Sequence, residues 1–420
     1  MADKAILLIM DGLGDLPVLG SQFSAPANAK RATGNRPLTP LQAARKPNMD
    51  KLASAGMQGL MSTIKRGIVP GSDTAHLQLL GYGPEKYYPG RGPLEALGAG
   101  MKLIEGDVAF RANFATISGD RITDRRAGRL DSQVAKQLEK EANVQMESIQ
   151  FIFKATSEHR GALVLRGAGL SANVSPTDPH HLGFLETSRP LDPGEGARKT
   201  SDAINEFTKT VAARLEASPI NAERKKKGML PANAILVRGG GMYKPVPQFS
   251  EMHGISGACV AGGALYKGVS RFVGMDVLDV KGATGTKSTD LRAKGRAALE
   301  ALKTHDFVFV HVKATDSFSH DGDAKGKADF ISKVDKELIP VLAKSGAALI
   351  ITGDHSTVCA RKDHTGYEVP ILACEEGGRS DGQMKFDEIS AMRGGLGHVR
   401  GKDVMPVILN MIGKARMYGS

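Results

Sequence analysis

The sequence has no tryptophan, few aromatic residues and only three cysteines. Aromatic residues make up 5% of the chain, which argues against a surface that stacks nucleic-acid bases. The cysteines, Cys259, Cys359 and Cys374, form no CxxC pair, so a disulfide framework and a cysteine-ligated zinc site are both disfavoured. We expect them to be buried free thiols in a reducing cytoplasm.

Long apolar segments are also lacking. No stretch approaches the length of a membrane span, and the N-terminal run Ala5–Met10 is too short for the apolar region of a signal peptide. Asp3 and Asp11 flank that run and strengthen this interpretation. The sequence therefore predicts a cytoplasmic protein with no membrane partner.

What the chain does have is length and positive charge. At 420 residues it is long enough for two domains. Its formal charge of +11 suits either a nucleic-acid surface or a site for small anions. The densest basic run, Arg224–Lys227, precedes Gly228 and is typical of a solvated helix end. Because the other basic residues are scattered, we expect a small anionic substrate and no nucleic-acid partner.

Three short apolar runs each lead to an acidic residue: AILLIM to Asp11, FVFVHV to Asp316 and AALIIT to Asp354. Such runs are typical of strands buried on both faces of a parallel sheet. Helical patterns at Leu41–Gly56 and Asp329–Ser345, each containing a proline, lie between the runs. The sequence predicts an α/β fold with a doubly wound, mostly parallel sheet. In such sheets ligands bind beyond the carboxyl ends of the strands, where all three acids are expected.

Both ends of the chain contribute strands to this sheet, so the middle is expected to be an insertion. We place residues 1–106 and 286–420 in a discontinuous, metal-binding catalytic domain. Residues 107–285 are expected to form a smaller inserted α/β domain that binds the substrate and acts as a lid. A strand is expected near the end of the insertion, at Phe272–Val277.

Imidazole groups accompany these acids. Asp316 and His320 are four residues apart, His355 follows Asp354, and His364 comes shortly after. One such pair alone is more often a helix cap or a loop contact. Three strand ends that all deliver ligands favour a metal site, and mixed Asp and His ligands suit ions such as Zn²⁺ or Mn²⁺. Two such ions can clamp a phosphoryl group and lower the pKa of an attacking hydroxyl.

Ser72 is the candidate nucleophile. It precedes a predicted helix at Thr74–Leu80, and the positive field of a helix N-terminus favours both phosphate and an alkoxide. The competing interpretation is a helix N-cap, which the local pattern alone favours. The predicted metal ligands shift the balance towards a nucleophile.

The strings DGLGD, GSDTAHL, TDSFSHDGD, GDHS and DHTGYEVP resemble the metal and nucleophile motifs of the alkaline phosphatase superfamily. More narrowly, the chain resembles the archaeal-type cofactor-independent phosphoglycerate mutases. RGPLEALGAGM, GDVAFRANFAT, SEHRGALVLRG, SPTDPHH and AGGALYKGVSR extend this resemblance over nearly the whole chain. It implies an alkaline-phosphatase-like catalytic domain and a glycolytic isomerase that interconverts 3-phosphoglycerate and 2-phosphoglycerate without bisphosphoglycerate.

The resemblance also implies a role for individual residues. It implies two divalent ions, Mn²⁺, Mg²⁺, Co²⁺ or Zn²⁺, of which one would be held by Asp316, His320 and His364. The other would be held by Asp11, Asp354, His355 and the Ser72 oxygen. Ser72 would take the phosphoryl group, and the 2-hydroxyl of the retained glycerate would recover it. Substrate contacts are implied for Arg129, His159, Arg160, Asp178 and Lys267. A surface or interdomain ion pair is the competing interpretation of each.

Other interpretations remain open at this point. A phosphomonoesterase or phosphonate hydrolase of the same superfamily would use the same metals and nucleophile, and only the arginine-rich middle of the chain favours the mutase. His398 is expected to be structural, His76 to share a helix face with Ser72, and His311 to lie behind the ligands. The chain could be a monomer or a homo-oligomer.

Overall fold

The computed structural model describes residues 2–19, 23, 37–417 and 419. The chain divides into two compact units, the first comprising Met1–Tyr88 with Pro247–Ser420 and the second Pro89–Val246. The strands are, in chain order, β1 (Ala5–Met10), β2 (Met57–Ser62), β3 (Val108–Ser118), β4 (Arg121–Asp124), β5 (Val144–Met146), β6 (Ile149–Ala155), β7 (Arg160–Arg166), β8 (Gly183–Phe184), β9 (Ala234–Met242), β10 (Gly257–Val260), β11 (Asp276–Val277), β12 (Phe307–Val312), β13 (Ala348–Thr352), β14 (Ser356–Val358), β15 (Asp363–Thr365), β16 (Val369–Cys374) and β17 (Gly397–Arg400).

The α-helices are α1 (Pro40–Ala43), α2 (Pro47–Ala55), α3 (Ser72–Leu79), α4 (Pro84–Tyr87), α5 (Arg91–Gly98), α6 (Ser132–Leu138), α7 (Glu195–Ala217), α8 (Pro219–Lys226), α9 (Phe249–His253), α10 (Ala264–Phe272), α11 (Leu291–Ala301), α12 (Ala314–Asp321), α13 (Ala324–Glu337), α14 (Ile339–Ala343), α15 (Glu388–Met392) and α16 (Val404–Met411). Short 3₁₀ helices lie at Glu139–Ala142 and Gly401–Asp403. Within the described ranges, no helix combines the length and the apolar character needed to cross a bilayer.

The first unit is built on an eight-stranded sheet with the order β11-β10-β12-β1-β13-β16-β2-β17. β1 lies between β12 and β13 and is parallel to both, with Ile6 opposite Val308 on one side and Leu349 on the other. Every residue of these three strands is buried, as their uninterrupted apolar runs predict. The α/β class is thereby confirmed, and the carboxyl ends of the three strands meet at one edge.

Prolines divide both predicted helices of this unit. The pattern at Leu41–Gly56 forms α1 and α2, with Pro47 in the first turn of α2. The pattern at Asp329–Ser345 forms the end of α13 and all of α14, with Pro340 in the first turn of α14. Proline lacks an N–H and fits the first turn of a helix, so each one begins a new helix.

The second unit contains an antiparallel sheet of order β5-β6-β7-β3-β4-β8, with β9 also paired to β3. Its core combines apolar side chains from the sheet with those from α7. Phe207 of α7 stacks on Phe151 of β6 with ring centroids 4.9 Å apart. Phe110 and Phe114, from the long central strand β3, complete this core.

The boundaries of the second unit differ from those expected from the sequence, 107 and 285. Residues 247–285 lie in the first unit, because β10 pairs in parallel with β12 and β11 pairs with β10. Phe272 ends α10 instead of starting a strand. At the other boundary, α5 packs against β3 so closely that a Cβ on Gly92 would lie 1.9 Å from the carbonyl oxygen of Ala109. β10 has four residues and β11 has two, so their sequence patterns are too short to predict which of the two sheets they join.

Candidate metal centre and nucleophile

Three buried carboxylates lie at the carboxyl ends of neighbouring parallel strands. Asp11 follows β1 directly, Asp354 follows β13, and Asp316 lies in the first turn of α12 after β12. Their exposed fractions are 0%, 0% and 2% respectively. Isolated carboxylates are costly to bury, so this edge of the sheet requires positive charge.

The structure contains two groups of potential metal ligands, and within each group the ligand atoms lie within 4.8 Å of one another. The first group is Asp11, Asp354 and His355, and the second is Asp316, His355 and His364. His355 Nε2 lies 3.6 Å from Asp11 Oδ1 and 3.2 Å from Asp354 Oδ2. His364 Nε2 lies 3.5 Å from Asp316 Oδ1. The two imidazole rings stack with centroids 3.6 Å apart. The sequence assigned His355 to one ion only, whereas the structure includes it in both groups.

His320 lies beside the second group. Its Nε2 is 3.4 Å from Asp316 Oδ1, and its Nδ1 bonds to the carbonyl oxygen of Lys362 at 2.8 Å. The hydrogen bond with Asp316 raises the pKa of His320 to about 9. An ε nitrogen turned towards a carboxylate and a δ nitrogen held by the backbone is the usual arrangement of an imidazole that binds a metal.

The carboxylates remain ionised despite their burial. Burial by itself raises the pKa of Asp316, but hydrogen bonds with His320 and His364 outweigh it and leave the pKa well below its ordinary value. Burial likewise raises the pKa of Asp354, and His355 more than offsets it, so the net pKa is lowered. The edge therefore presents permanent negative charge next to imidazole nitrogens.

The donor set fits divalent ions. Asp11 Oδ1 and Asp354 Oδ2 are buried and have no hydrogen-bond partner among the described residues. Buried polar atoms are nearly always satisfied, so two orphaned carboxylate oxygens beside His355 indicate an ion as the missing partner. Mixed carboxylate and imidazole ligands match Zn²⁺ and Mn²⁺ better than Ca²⁺.

Ser72 is the first residue of α3 and is 7% exposed. Gly71 occupies the N-cap position, so the Ser72 hydroxyl is not used as a cap. Instead, Ser72 Oγ lies 3.2 Å from His355 Nε2. The carbonyl oxygen of Ser72 accepts a 2.6 Å hydrogen bond from Nδ1 of His76, and that of Pro70 one of 3.1 Å from Nδ1 of His364. The hydroxyl is thus fixed at the ligand cluster.

Asp11 is held by uncharged donors as well as by a lysine. His311 Nε2 lies 3.1 Å from Asp11 Oδ2, and the Tyr266 hydroxyl donates to the same oxygen. The Tyr266 and His311 rings stack with centroids 3.4 Å apart. Burial lowers the pKa of His311 to about 4 and raises that of Tyr266 well above its ordinary value. Both shifts favour the neutral form of the side chain, and His311 contacts the candidate ligand Asp11 without belonging to either ligand group.

A buried ion pair joins the loops that carry the candidate ligands Asp11 and Asp354. Lys327 Nζ donates to Asp15 Oδ2 at 2.9 Å, to the Gly14 carbonyl at 3.3 Å and to the Thr357 carbonyl at 3.0 Å. Both charged side chains are fully buried. Gly12 has φ +62° and its Cβ would lie 2.5 Å from Thr357 Oγ1, so the loop after β1 packs tightly on the loop after β13.

The residues expected to contact the substrate occupy several environments. Lys267, in the first unit, pairs with Asp279 at 2.8 Å. The other four lie in the second unit, where Arg129 and Arg160 are exposed. His159 is 5% exposed, and burial followed by the charge of Arg160 lowers its pKa to about 4.

Asp178 is fully buried and binds two arginines that sequence reasoning did not assign. Arg125 donates to both carboxylate oxygens at 2.9 Å, and Arg238 lies 3.2 Å from Oδ2. Burial raises the pKa of Asp178, but the Arg125 hydrogen bond and its neighbours give a net lowering. Burial lowers the pKa of Arg238 and of nearby Arg111, and Arg238 Nε has no partner among the described residues. Arg125 lies in the arginine-rich string DRRAGR, which could have indicated a role in binding anions. Arg238 only follows the apolar run AILV, which does not distinguish it from other arginines.

A family model and two curated relatives that match this chain carry the same description. A family model described as 2,3-bisphosphoglycerate-independent phosphoglycerate mutase matches residues 53–221. The 2,3-bisphosphoglycerate-independent phosphoglycerate mutase 1 of Methanocaldococcus jannaschii is 43% identical over 423 residues, covering 99% of each chain. The protein of the same description from Archaeoglobus fulgidus is 44% identical over 426 residues, again covering 99% of each.

Two solved structures are similar over the full length. A protein from Pyrococcus horikoshii superposes with a TM-score of 0.83 at 35% identity, covering 100% of both chains. The cofactor-independent phosphoglycerate mutase of Thermoplasma acidophilum gives a TM-score of 0.72 at 38% identity, covering 98% of this chain and 100% of that one.

Proposed function

The chain belongs to the 2,3-bisphosphoglycerate-independent phosphoglycerate mutase family, and we propose that Ser72 carries the phosphoryl group while 3-phosphoglycerate and 2-phosphoglycerate interconvert. It is an isomerase that works without bisphosphoglycerate. The observation that carries the proposal is the 3.2 Å distance between Ser72 Oγ and Nε2 of His355, the imidazole common to both ligand groups.

We assign the metal ligands residue by residue. One ion would be held by Asp11, Asp354 and His355, and the other by Asp316, His364 and His320, and His355 belongs to both groups of ligand atoms. When bound, two divalent ions neutralise phosphoryl charge and lower the pKa of a nearby hydroxyl. Mn²⁺ or Zn²⁺ suits the mixed donor set.

Ser72 is positioned for transfer by the backbone around it. Its oxygen attacks phosphorus as the bond to the glycerate 3-oxygen breaks, which gives phosphoserine and bound glycerate. The 2-oxygen of glycerate then attacks the phosphoserine and releases the Ser72 oxygen. The N-terminus of α3 favours the negative charge that both steps concentrate at this residue.

The arginines of the second unit are the proposed anion-binding groups. Asp178 is buried behind Arg125 and Arg238, so its role is to orient these guanidinium groups, and an anion is bound by the guanidinium groups themselves. Planar guanidinium groups bind carboxylate and phosphate through paired hydrogen bonds. A mutase must keep glycerate bound after the first phosphoryl transfer until the second one occurs. A phosphatase with the same nucleophile instead releases its alcohol product and passes the phosphoryl group to water.

The test is a coupled measurement of 2-phosphoglycerate and free phosphate. Mn²⁺-loaded protein is incubated with 3-phosphoglycerate in the absence of bisphosphoglycerate. We expect 2-phosphoglycerate as the main product, no turnover by Ser72→Ala, and wild-type turnover by the half-buried control Ser54→Ala, whose hydroxyl donates only to the Lys51 carbonyl of its own helix. Release of phosphate without 2-phosphoglycerate would instead establish a phosphatase.

A further inference from the structure

One ammonium group bridges the two ligand groups. Lys313 follows β12 and precedes α12, and its Nζ lies 2.6 Å from Asp316 Oδ2 and 3.2 Å from Asp11 Oδ2. Asp11 belongs to one ligand group and Asp316 to the other. The lysine side chain is 25% exposed, so the contact is largely shielded from water. No sequence motif pointed to it.

Lys313 contacts the outer oxygen of each carboxylate. The inner oxygen of Asp11, Oδ1, is 3.6 Å from His355 Nε2 and has no hydrogen-bond partner among the described residues. The inner oxygen of Asp316, also Oδ1, lies 3.4 Å from Nε2 of His320. The ammonium therefore contacts neither of the Oδ1 atoms that face His355 and His320, and its place on the two Oδ2 atoms leaves that side of the carboxylates to an ion.

Other donors orient the same carboxylates. Asp11 Oδ2 also receives His311 Nε2 and the Tyr266 hydroxyl. Thr357 Oγ1 donates to Asp316 Oδ1 at 2.8 Å. Since these contacts orient both carboxylates and do not involve the lysine, we infer that the main contribution of Lys313 is its charge and not its hydrogen bonds.

We propose that Lys313 is a permanent third cation of the centre, a positioning residue that offsets one of the three carboxylate charges and thereby weakens the binding of both divalent ions. Like charges repel strongly where water is excluded, so an ammonium held on two of the proposed ligands would oppose the binding of divalent ions there. The proposed consequence is a centre whose ions exchange with solution instead of being held irreversibly. This inference rests on the metal-binding role proposed above.

The test is calorimetric titration of the metal-free full-length protein with Mn²⁺. We expect Lys313→Met to lower the Kd of both ions by on the order of tenfold or more, because like-charge repulsion is removed. Lys303→Met removes one exposed ammonium at the end of α11 and should leave both Kd values unchanged. Lys313→Arg keeps the charge and should stay close to wild type.

A second readout separates charge from folding. Metal-free Lys313→Met should melt at a lower temperature than wild type, because the ammonium that bridges Asp11 and Asp316 is lost, and saturating Mn²⁺ should remove the difference. A purely structural lysine would lower both the melting temperature and the affinity. If Lys313→Met does not fold without metal, Lys313→Gln is titrated instead, with the same expected tightening.

An unchanged or raised Kd in the neutral variant, with wild type binding Mn²⁺, overturns the role of Lys313 and leaves the metal assignment intact. Absence of Mn²⁺ binding by wild type overturns both.

Discussion

The Ser72 hydroxyl lies 3.2 Å from Nε2 of His355, the imidazole that belongs to both ligand groups. The proposed nucleophile and the proposed metal ligands therefore meet at one side chain. This relationship makes His355 the residue whose loss should affect both ions at once.

We therefore expect His355→Ala to lose tight binding of both Mn²⁺ ions and to lower kcat by about a thousandfold or more. His320→Ala should lose one ion only, because His320 approaches Asp316 alone among the three carboxylates. Metal content is measured by elemental analysis after desalting. Equal loss of metal from the two variants would contradict the shared role of His355.

Removing the buried partner of Asp15 should destabilise the first unit. Lys327→Met leaves the Asp15 carboxylate buried without its cation, and we expect the free energy of unfolding to fall by about 3–5 kcal/mol. Asp15→Asn combined with Lys327→Met should cost less than the sum of the single changes, because the two residues interact directly. Chemical denaturation of the four proteins measures this coupling, and strict additivity would rule it out.

His159 should make stability depend on pH in a defined window. In the unfolded chain its pKa is near 6.5, whereas in the folded protein burial lowers it to about 4. Between these values the unfolded state binds more protons, so the free energy of unfolding decreases as the pH falls from 6.5 to 4. His159→Gln cannot titrate and should lose less stability over this range, by about 1–3 kcal/mol. Parallel pH profiles for the two proteins would show that folding does not shift the pKa of His159.

Asp178→Asn should weaken substrate binding without unfolding the second unit. The change removes the charge that fixes Arg125 and Arg238, so we expect kcat/KM to drop by roughly tenfold or more. Asp192→Asn is the control, since Asp192 is an acid of the same unit whose carboxylate accepts hydrogen bonds from the Asn173 side chain and the Gly194 N–H. Steady-state kinetics with circular dichroism provides the measurement. A loss of the same size in both variants would remove Asp178 from the substrate-binding group.

The sequence was sufficient to predict the edge of the sheet at which Asp11, Asp316 and Asp354 meet. Each acid follows a strand whose uninterrupted apolar run shows that it is buried in a parallel sheet. The neighbouring histidines follow from their short spacing in the sequence.

Contacts that depend on side-chain direction could not be predicted in this way. Tyr266 reaches Asp11 from α10, and Lys327 reaches Asp15 from α13, across hundreds of residues of chain. The short strand β10 also gave too weak a pattern to assign residues 247–285 to the first unit. These long-range contacts depend on how helices and strands pack together, and the pattern of apolar and polar residues in one segment does not predict that packing.

The most direct measurement is rapid acid quenching of the Mn²⁺-loaded protein during turnover of 3-phosphoglycerate, followed by mass spectrometry of its peptides. We expect phosphate on Ser72, none on any peptide of Ser72→Ala, and loss of the modification when free 3-phosphoglycerate is removed and glycerate is supplied. Mutase turnover by Ser72→Ala, or phosphate carried on a different residue, would contradict phosphoryl transfer through Ser72.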